Sequence, residues 1–223
     1  SIYGFYCENP ITNWWQGAFV SSGNLTQLRS GRIIAALVVR ESTDFEISNF
    51  VMFSDDNGVS WQVSPNRVAT NGNEAKIVEL DNGELLMSIR NKGFRMFSRS
   101  ADQGWTWNEV YYHEDLIDPS CNGSLNRFSS IKSGGVKSRL LHTLPLSITR
   151  ENLTMLLSYD EGFSWPVSKT IYKGPSAYSS VTVLKDHTIG IYYEVGEYEV
   201  YQMYFTRFSL EWLTDGLDHF DES

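Results

Sequence analysis

Apolar residues along this chain fall in short runs, many of them alternating with polar ones, and clusters of Gly, Asn, Asp and Ser separate the runs. Helical periodicity is nearly absent, so the pattern predicts strands and tight turns. Residues 31–39 read as a buried strand after a turn at Ser30-Gly31, and 50–53 as the next. Residues 74–80 and 85–90 form a hairpin about Asp81-Asn82-Gly83. Strands follow at 94–97, 138–143 and 153–157. A second hairpin joins 181–184 to 189–194, and 200–208 is β-rich. Residues 1–22, with Trp14-Trp15, read as an irregular lead, and 116–124 as a loop. Residues 209–216 read as a short helix capped by Ser209.

One eight-residue stretch occurs three times: Ser-Asp-Asp-Asn-Gly-Val-Ser-Trp at 54–61, Ser-Ala-Asp-Gln-Gly-Trp-Thr-Trp at 100–107 and Ser-Tyr-Asp-Glu-Gly-Phe-Ser-Trp at 158–165. In Ser-x-Asp-x-Gly-x-(Ser/Thr)-Trp, the carboxylates of Asp56, Asp102 and Asp160 can accept backbone N–H bonds of their own turns. Gly58, Gly104 and Gly162 can take φ > 0 and close a hairpin. Trp61, Trp107 and Trp165 are expected to bury their rings against the next unit. A strand leads into each copy. Repeats of about 40–50 residues fit four-stranded propeller blades.

The 223 residues suffice for one good-sized core but fall short of six such blades. The chain opens Ser1-Ile2-Tyr3 without Met, the mark of processing or of a fragment. A net charge of −9 argues against a nucleic-acid surface and leaves room for a local cationic pocket. Cys7 and Cys121 fit no metal spacing; a disulfide and two buried thiols both remain open. The triplets at Asn24, Asn122 and Asn152 are near background for glycosylation. No apolar run is long enough to span a membrane, and no signal peptide is visible. The four His (His113, His142, His187, His219) read as surface or loop. There is no Gly-rich phosphate loop, Cys/His cluster or nucleophile elbow.

The repeated stretch resembles the Asp box of the sialidase (neuraminidase) superfamily, where it marks hairpin turns and is not catalytic. The resemblance implies an all-β fold, a sialidase-type six-bladed β-propeller. This chain would supply about four blades across residues 1–223, with the N-terminal blades missing. The segment from Glu74 to Asn91 closely resembles the family stretch that runs from the catalytic Glu to an Arg of its arginine triad. That maps the roles onto Glu74 and Arg90. Arg150 stands where the family carries its last triad Arg. Ser176-Ala177-Tyr178-Ser179-Ser180 resembles the segment with the nucleophilic tyrosine, here Tyr178. The loop around Asp118 resembles one at the pocket rim, which makes Asn122 and Ser124 candidate rim residues.

The chemistry fits these residue types. Planar Arg forks bind a substrate carboxylate bidentately. A neutral phenol can approach an anomeric carbon that bears a carboxylate, where a second anion would be repelled; sialidases are known exceptions to the two-carboxylate rule. A phenol with a pKa of about 10 needs an adjacent base, and by the resemblance Glu74 would fill that role. Taken singly, Tyr178 is one of twelve Tyr, Arg90 and Arg150 are strand-edge charges and Glu74 is a solvated carboxylate. Their family order beside three boxes favours the functional reading. Arg95, Arg127 and Arg139 read as structural.

Two family features have no match. The Arg-Ile-Pro segment has only Arg32-Ile33-Ile34 as its nearest string, which reads as mid-blade strand. For the acid/base Asp, the context of Asp44 does not fit. The chain alone is therefore expected to be a poor catalyst. The implied activity is retaining exo-α-sialidase hydrolysis through a tyrosyl intermediate, without metal or other cofactor. Trans-sialylation on the same fold, or a non-catalytic propeller that binds glycan or protein, are the alternatives. Implied partners are sialylated glycans and the N-terminal part of its own domain. The implied location is secreted or cell-surface.

Overall fold

Nearly every apolar run becomes a strand paired antiparallel with its chain neighbour. The structure, a computed structural model, describes residues 12–41, 47–197 and 200–220; Cys7 and Asp44 lie outside them. The first sheet contains β1 (Trp15–Val20), β2 (Thr26–Gln27), β3 (Ile33–Glu41), β4 (Ile47–Ser54), β5 (Gln62–Val63) and β6 (Ala69–Thr70), with the path β1-β3-β4-β5. The second is β7 (Ala75–Glu79), β8 (Leu85–Ile89), β9 (Lys92–Ser100) and β10 (Tyr111–Pro119). The third runs β11 (Ser124–Ser129), β12 (Arg139–Pro145), β13 (Glu151–Ser158), β14 (Val167–Val183), β15 (Ile189–Val195) and β16 (Gln202–Phe208). The 17-residue β14 pairs with β13 through its first half and with β15 through its second. The third sheet is thus a four-stranded and a three-stranded blade sharing one strand, which makes four blade-like meanders among the described residues.

The residues divide into two compact units. One takes the chain to Glu79 with Gly83–Asn91 and Arg95–His113; the other takes Leu80–Asn82, Lys92–Phe94 and the chain from Glu114. In the first, β3 is buried on both faces. Ile34 and Ala36 join Val51, Phe53, Ile77 and Met87 in one cluster, while Leu37 and Val39 join Trp15 and Phe50 in another. The core of the second is built from Leu141, Met155, Leu157, Val181, Ile191 and Phe208, closed by Leu210 and Leu213 of helix α1 (Leu210–Leu213). Ser209 caps that helix, accepting the Trp212 N–H at 3.2 Å. It is a single turn, shorter than the eight residues expected.

All three boxes are built alike. Asp102 accepts the Thr106 N–H at 2.8 Å and the Thr106 hydroxyl at 2.6 Å, and Ser100 Oγ accepts the Gly104 N–H at 2.9 Å. Asp56 and Asp160 repeat these bonds with Ser60 and Ser164. The residue before each Gly also turns left-handed: Asn57, Gln103 and Glu161 have φ of 59°, 57° and 61°. Two successive positive φ angles match the twist of the flanking strands. The Ser60 and Ser54 bonds hold the exposed Asp56 down at about 2. At Asp102 and Asp160 burial pulls upward, and the same set of bonds outweighs it. An Asp160→Ala variant is expected to lose about 1–2 kcal/mol of unfolding free energy in urea titration, since the Ser164 N–H and the Ser158 and Ser164 hydroxyls lose their acceptor.

Four expectations are corrected. The lead contains β1, because its alternating residues pair with β3 from Trp15 to Val20. The supposed loop at 116–124 is strand as far as Pro119, a strand end that needs no N–H. Only Trp165 of the box tryptophans is buried; Trp61 and Trp107 are partly buried, each ring folded back to give its indole N–H to its own Gly carbonyl at 3.2 Å. His142 is buried on β12, edge-on to Trp165 with 5.4 Å between ring centroids.

Candidate functional site

Glu74 stands at the entrance to β7 in the first unit. Its N–H is held by Asn73 Oδ1 at 2.9 Å, and its carbonyl accepts the Arg90 N–H at 2.8 Å where β8 ends. Strand, Asp-Asn-Gly turn and returning strand bring residues 16 apart level with each other. The Arg90 guanidinium meets Glu74 Oε2 at 2.6 Å, and Ser22 Oγ donates to Oε1 at 2.7 Å. Both carboxylate oxygens are thus engaged and the side chain is buried. Lys76, two residues on and on the same strand face, is also buried and donates its ammonium to the Ser22 carbonyl. Burial, and secondarily the charge of Arg95, pull Lys76 down to about 8 against the opposing pull of Glu74. Arg95 itself is fully buried and gives its Nε–H to Ser88 Oγ at 2.8 Å.

Tyr178 and Arg150 lie in the second unit. Register along β14 jumps between Ser176, opposite Val195, and Ser179, opposite Tyr193. Ala177 and Tyr178 therefore face a single residue, Glu194. Such a bulge bends the strand and re-aims a side chain. The Tyr178 N–H bonds to the Glu194 carboxylate, Oε2, at 2.9 Å. Arg150, just before β13, accepts the Ser176 N–H on its own carbonyl at 2.8 Å, tying it to the same bulge. Its guanidinium lies 5.7 Å from the Tyr178 ring centroid and donates to the Ser120 carbonyl at 3.1 Å. Burial acts to lower Arg150, but Cys121, a hydrogen bond with Tyr201 and the phenol of Tyr178 outweigh it, and its affinity for its proton rises. A cleft of about 360 Å³ opens here, lined by Thr149, Arg150, Glu151, Pro175, Gly196, Glu197 and Tyr201.

The four expected residues thus occupy two local constellations, Glu74 with Arg90 and Tyr178 with Arg150. Of the rim candidates, Ser124 is buried and spends its hydroxyl as acceptor for the Val181 N–H at 3.1 Å; Asn122 is buried as well. Arg127 is paired with Glu161 at 2.6 Å and Arg139 with Asp218 at 2.7 Å, the structural roles expected. Arg32 is paired with Asp55 at 2.7 Å at the start of β3. Ser22, Lys76, Glu194 and Tyr201 were not singled out from the sequence. Only Lys76, an in-phase neighbour of Glu74, carried a signal there. The others depend on pairings between distant segments.

The chain matches the family described as BNR repeat-like domain over residues 15–191. It belongs to that family. The BNR repeats are the three boxes, and the relatives are sialidases. The sialidase of Micromonospora viridifaciens is 31% identical over 210 residues, covering 89% of this chain and 31% of the relative. The structure of the Hadza microbial sialidase Hz136 superposes with a TM-score of 0.79 at 28% identity, over 89% of this chain and 39% of that one. A Trypanosoma rangeli sialidase in complex with 2,3-difluorosialic acid, a covalent intermediate, gives a TM-score of 0.74 at 22% identity, over 86% of this chain and 31% of that one. The fold is the sialidase β-propeller, and its blades here are the four meanders. This BNR chain spans 26–31% of the length of the curated relatives it matches. Among the described residues no helix is long and apolar enough to cross a membrane.

Proposed function

We propose that this chain carries the nucleophile, the base and two carboxylate-binding arginines of a retaining exo-α-sialidase. The observation that carries the reading is the bulge that sets Tyr178 beside the Arg150 guanidinium. A cation next to a phenol favours loss of its proton, and a guanidinium beside it suits the carboxylate that distinguishes sialic acid. In this reading the Tyr178 oxygen bonds to the anomeric carbon as the glycosidic C–O bond breaks. Glu74 takes the phenol proton, and Arg90 and Arg150 hold the substrate carboxylate. The aglycone oxygen takes its proton from an acid outside these four residues. Water then attacks the same carbon, releasing sialic acid and restoring Tyr178 with net retention. Terminally sialylated glycans, met outside the cell or at its surface, are the substrates, and the rest of a longer propeller is the partner that completes the site.

The test is trapping. The chain with the rest of its propeller, incubated with 2,3-difluorosialic acid, should displace the reagent's anomeric fluoride and gain one 3-fluorosialyl adduct, which peptide mapping places on Tyr178. An adduct on another residue, or turnover of a sialoside with inversion in a proton NMR assay, would overturn the reading.

A further inference from the structure

Lys76 is a buried cation that the proposed chemistry does not use. Burying a lysine is costly unless the charge is matched. The same face of β7, β8 and β9 carries Glu74, Lys76, Ser88, Arg90 and Arg95, three cations against one carboxylate among these groups. Lys76 reaches past this group to the backbone carbonyl of Ser22, in the turn between β1 and β2. That turn is fitted to it. Gly23 has φ of +117°, and a Cβ there would lie 2.4 Å from Lys76 Cε. Ser21 ties the turn down on either side: its N–H bonds to the Ala36 carbonyl at 2.9 Å and its Oγ accepts the Ala75 N–H at 2.7 Å. The turn so held places the Ser22 hydroxyl 2.7 Å from Glu74 Oε1.

We propose that Lys76 is a positioning residue for Glu74: it pins the 21–23 turn so that Ser22 caps one carboxylate oxygen, and its charge keeps the carboxylate ionised for use as a base. The assignment rests on the proposed sialidase reading for the word base, but the contact itself does not. It explains why a costly buried lysine sits two residues from the carboxylate. Arg90 and Arg95 face the same group from β8 and β9, so Lys76 is one of three cations acting on Glu74, and its removal moves Glu74 in part.

The test uses the full chain with carbon-13 in its glutamate carboxyls. In Lys76→Met the titration midpoint of the Glu74 carboxyl should rise by about half to one pH unit, because a nearby opposite charge and an anchored donor favour the ionised form. Ser22→Ala should move it the same way by less. The acid limb of kcat/KM should follow each midpoint. Lys76→Met should at the same time keep or raise Tm at pH 7. That gain shrinks as pH climbs from about 8 towards the ordinary lysine range, where the wild-type amine sheds its proton in the folded state ahead of the unfolded one. An unchanged Glu74 midpoint in either folded variant would overturn the proposal. Should Lys76→Met fail to fold, Ser22→Ala, which removes one hydroxyl from an exposed residue, decides alone. A wild-type chain that never turns over a sialoside even with the rest of its propeller, with the midpoint still shifting, would leave the contact intact and sink the enzymatic reading instead.

Discussion

In the completed propeller, Tyr178→Phe is expected to lower kcat on a sialoside at least about a thousandfold while sialic-acid affinity stays within a few-fold of wild type. The substitution deletes the one oxygen assigned to attack and keeps the ring. The Arg150 guanidinium retains its aromatic neighbour at 5.7 Å, and the backbone N–H of residue 178 keeps its bond to Glu194. Binding of the carboxylate depends on the arginines, so ground-state affinity is spared. An interaction made only on the way to the transition state appears in kcat. The half-buried position gives little reason for a change in Tm. Initial rates and equilibrium binding of free sialic acid, measured on the same preparations, check both halves. Equal loss of binding and rate would mean that the hydroxyl holds substrate and does not attack. Unaltered turnover would assign the nucleophile elsewhere.

The largest effect on stability is expected at the Arg139–Asp218 pair. Arg139 donates Nε to Oδ2 and Nη2 to Oδ1 of Asp218, both at 2.7 Å, and both residues are buried. Lys137 adds a third donor at 3.0 Å, and Arg139 reaches Ser129 Oγ and the His219 carbonyl. The pair fastens the segment after α1 to β12. Asp218→Asn leaves a buried guanidinium without its counter-charge and should cost about 3–5 kcal/mol in urea unfolding. Replacing both partners by apolar residues of similar volume should recover much of that loss. Burial acts to raise Asp218, but the bonds from Arg139, Lys137 and Tyr159 outweigh it and hold it well below the usual carboxylate range. The stability it lends is therefore present above the ordinary Asp range, near pH 4, and drains away as pH falls below it. Asp218→Asn should flatten that acid dependence. Burial and then Asp218 push Tyr159 up to about 12, against the opposing charge of Arg139. An Asp218→Asn protein as stable as wild type at pH 7 would place the segment after α1 outside the cooperative unit.

The candidate site's local geometry was legible to the extent that its residues sit on local motifs. Glu74 and Arg90 are joined by one hairpin, so their meeting could be read from a strand, an Asp-Asn-Gly turn and a returning strand. Tyr178 was singled out by resemblance alone, and its surroundings were not legible. The bulge that presents it needs Glu194 from the next strand, and nothing along 176–180 announces the register jump. Ser124 shows how little a short window says of a side chain's partners. A polar residue in a segment read as loop turned out to be spent on a backbone N–H 57 residues away. His142, read as surface, is buried because β12 is an inner strand of its blade, a fact of strand order rather than of the His itself.

By itself the order of residues determined the boxes, the hairpins and hence the β-propeller class. Each of these closes over a few residues through bonds such as Thr106 to Asp102, four positions apart, and so depends little on what lies elsewhere. The tertiary structure alone decided which groups crowd the carboxylate of Glu74 and how Tyr178 is aimed. Ser22 reaches Glu74 across 52 residues, and the Tyr178 amide meets Glu194 across a strand pair. Contacts closed over such long loops are set by packing and register, and no short window of sequence encodes either.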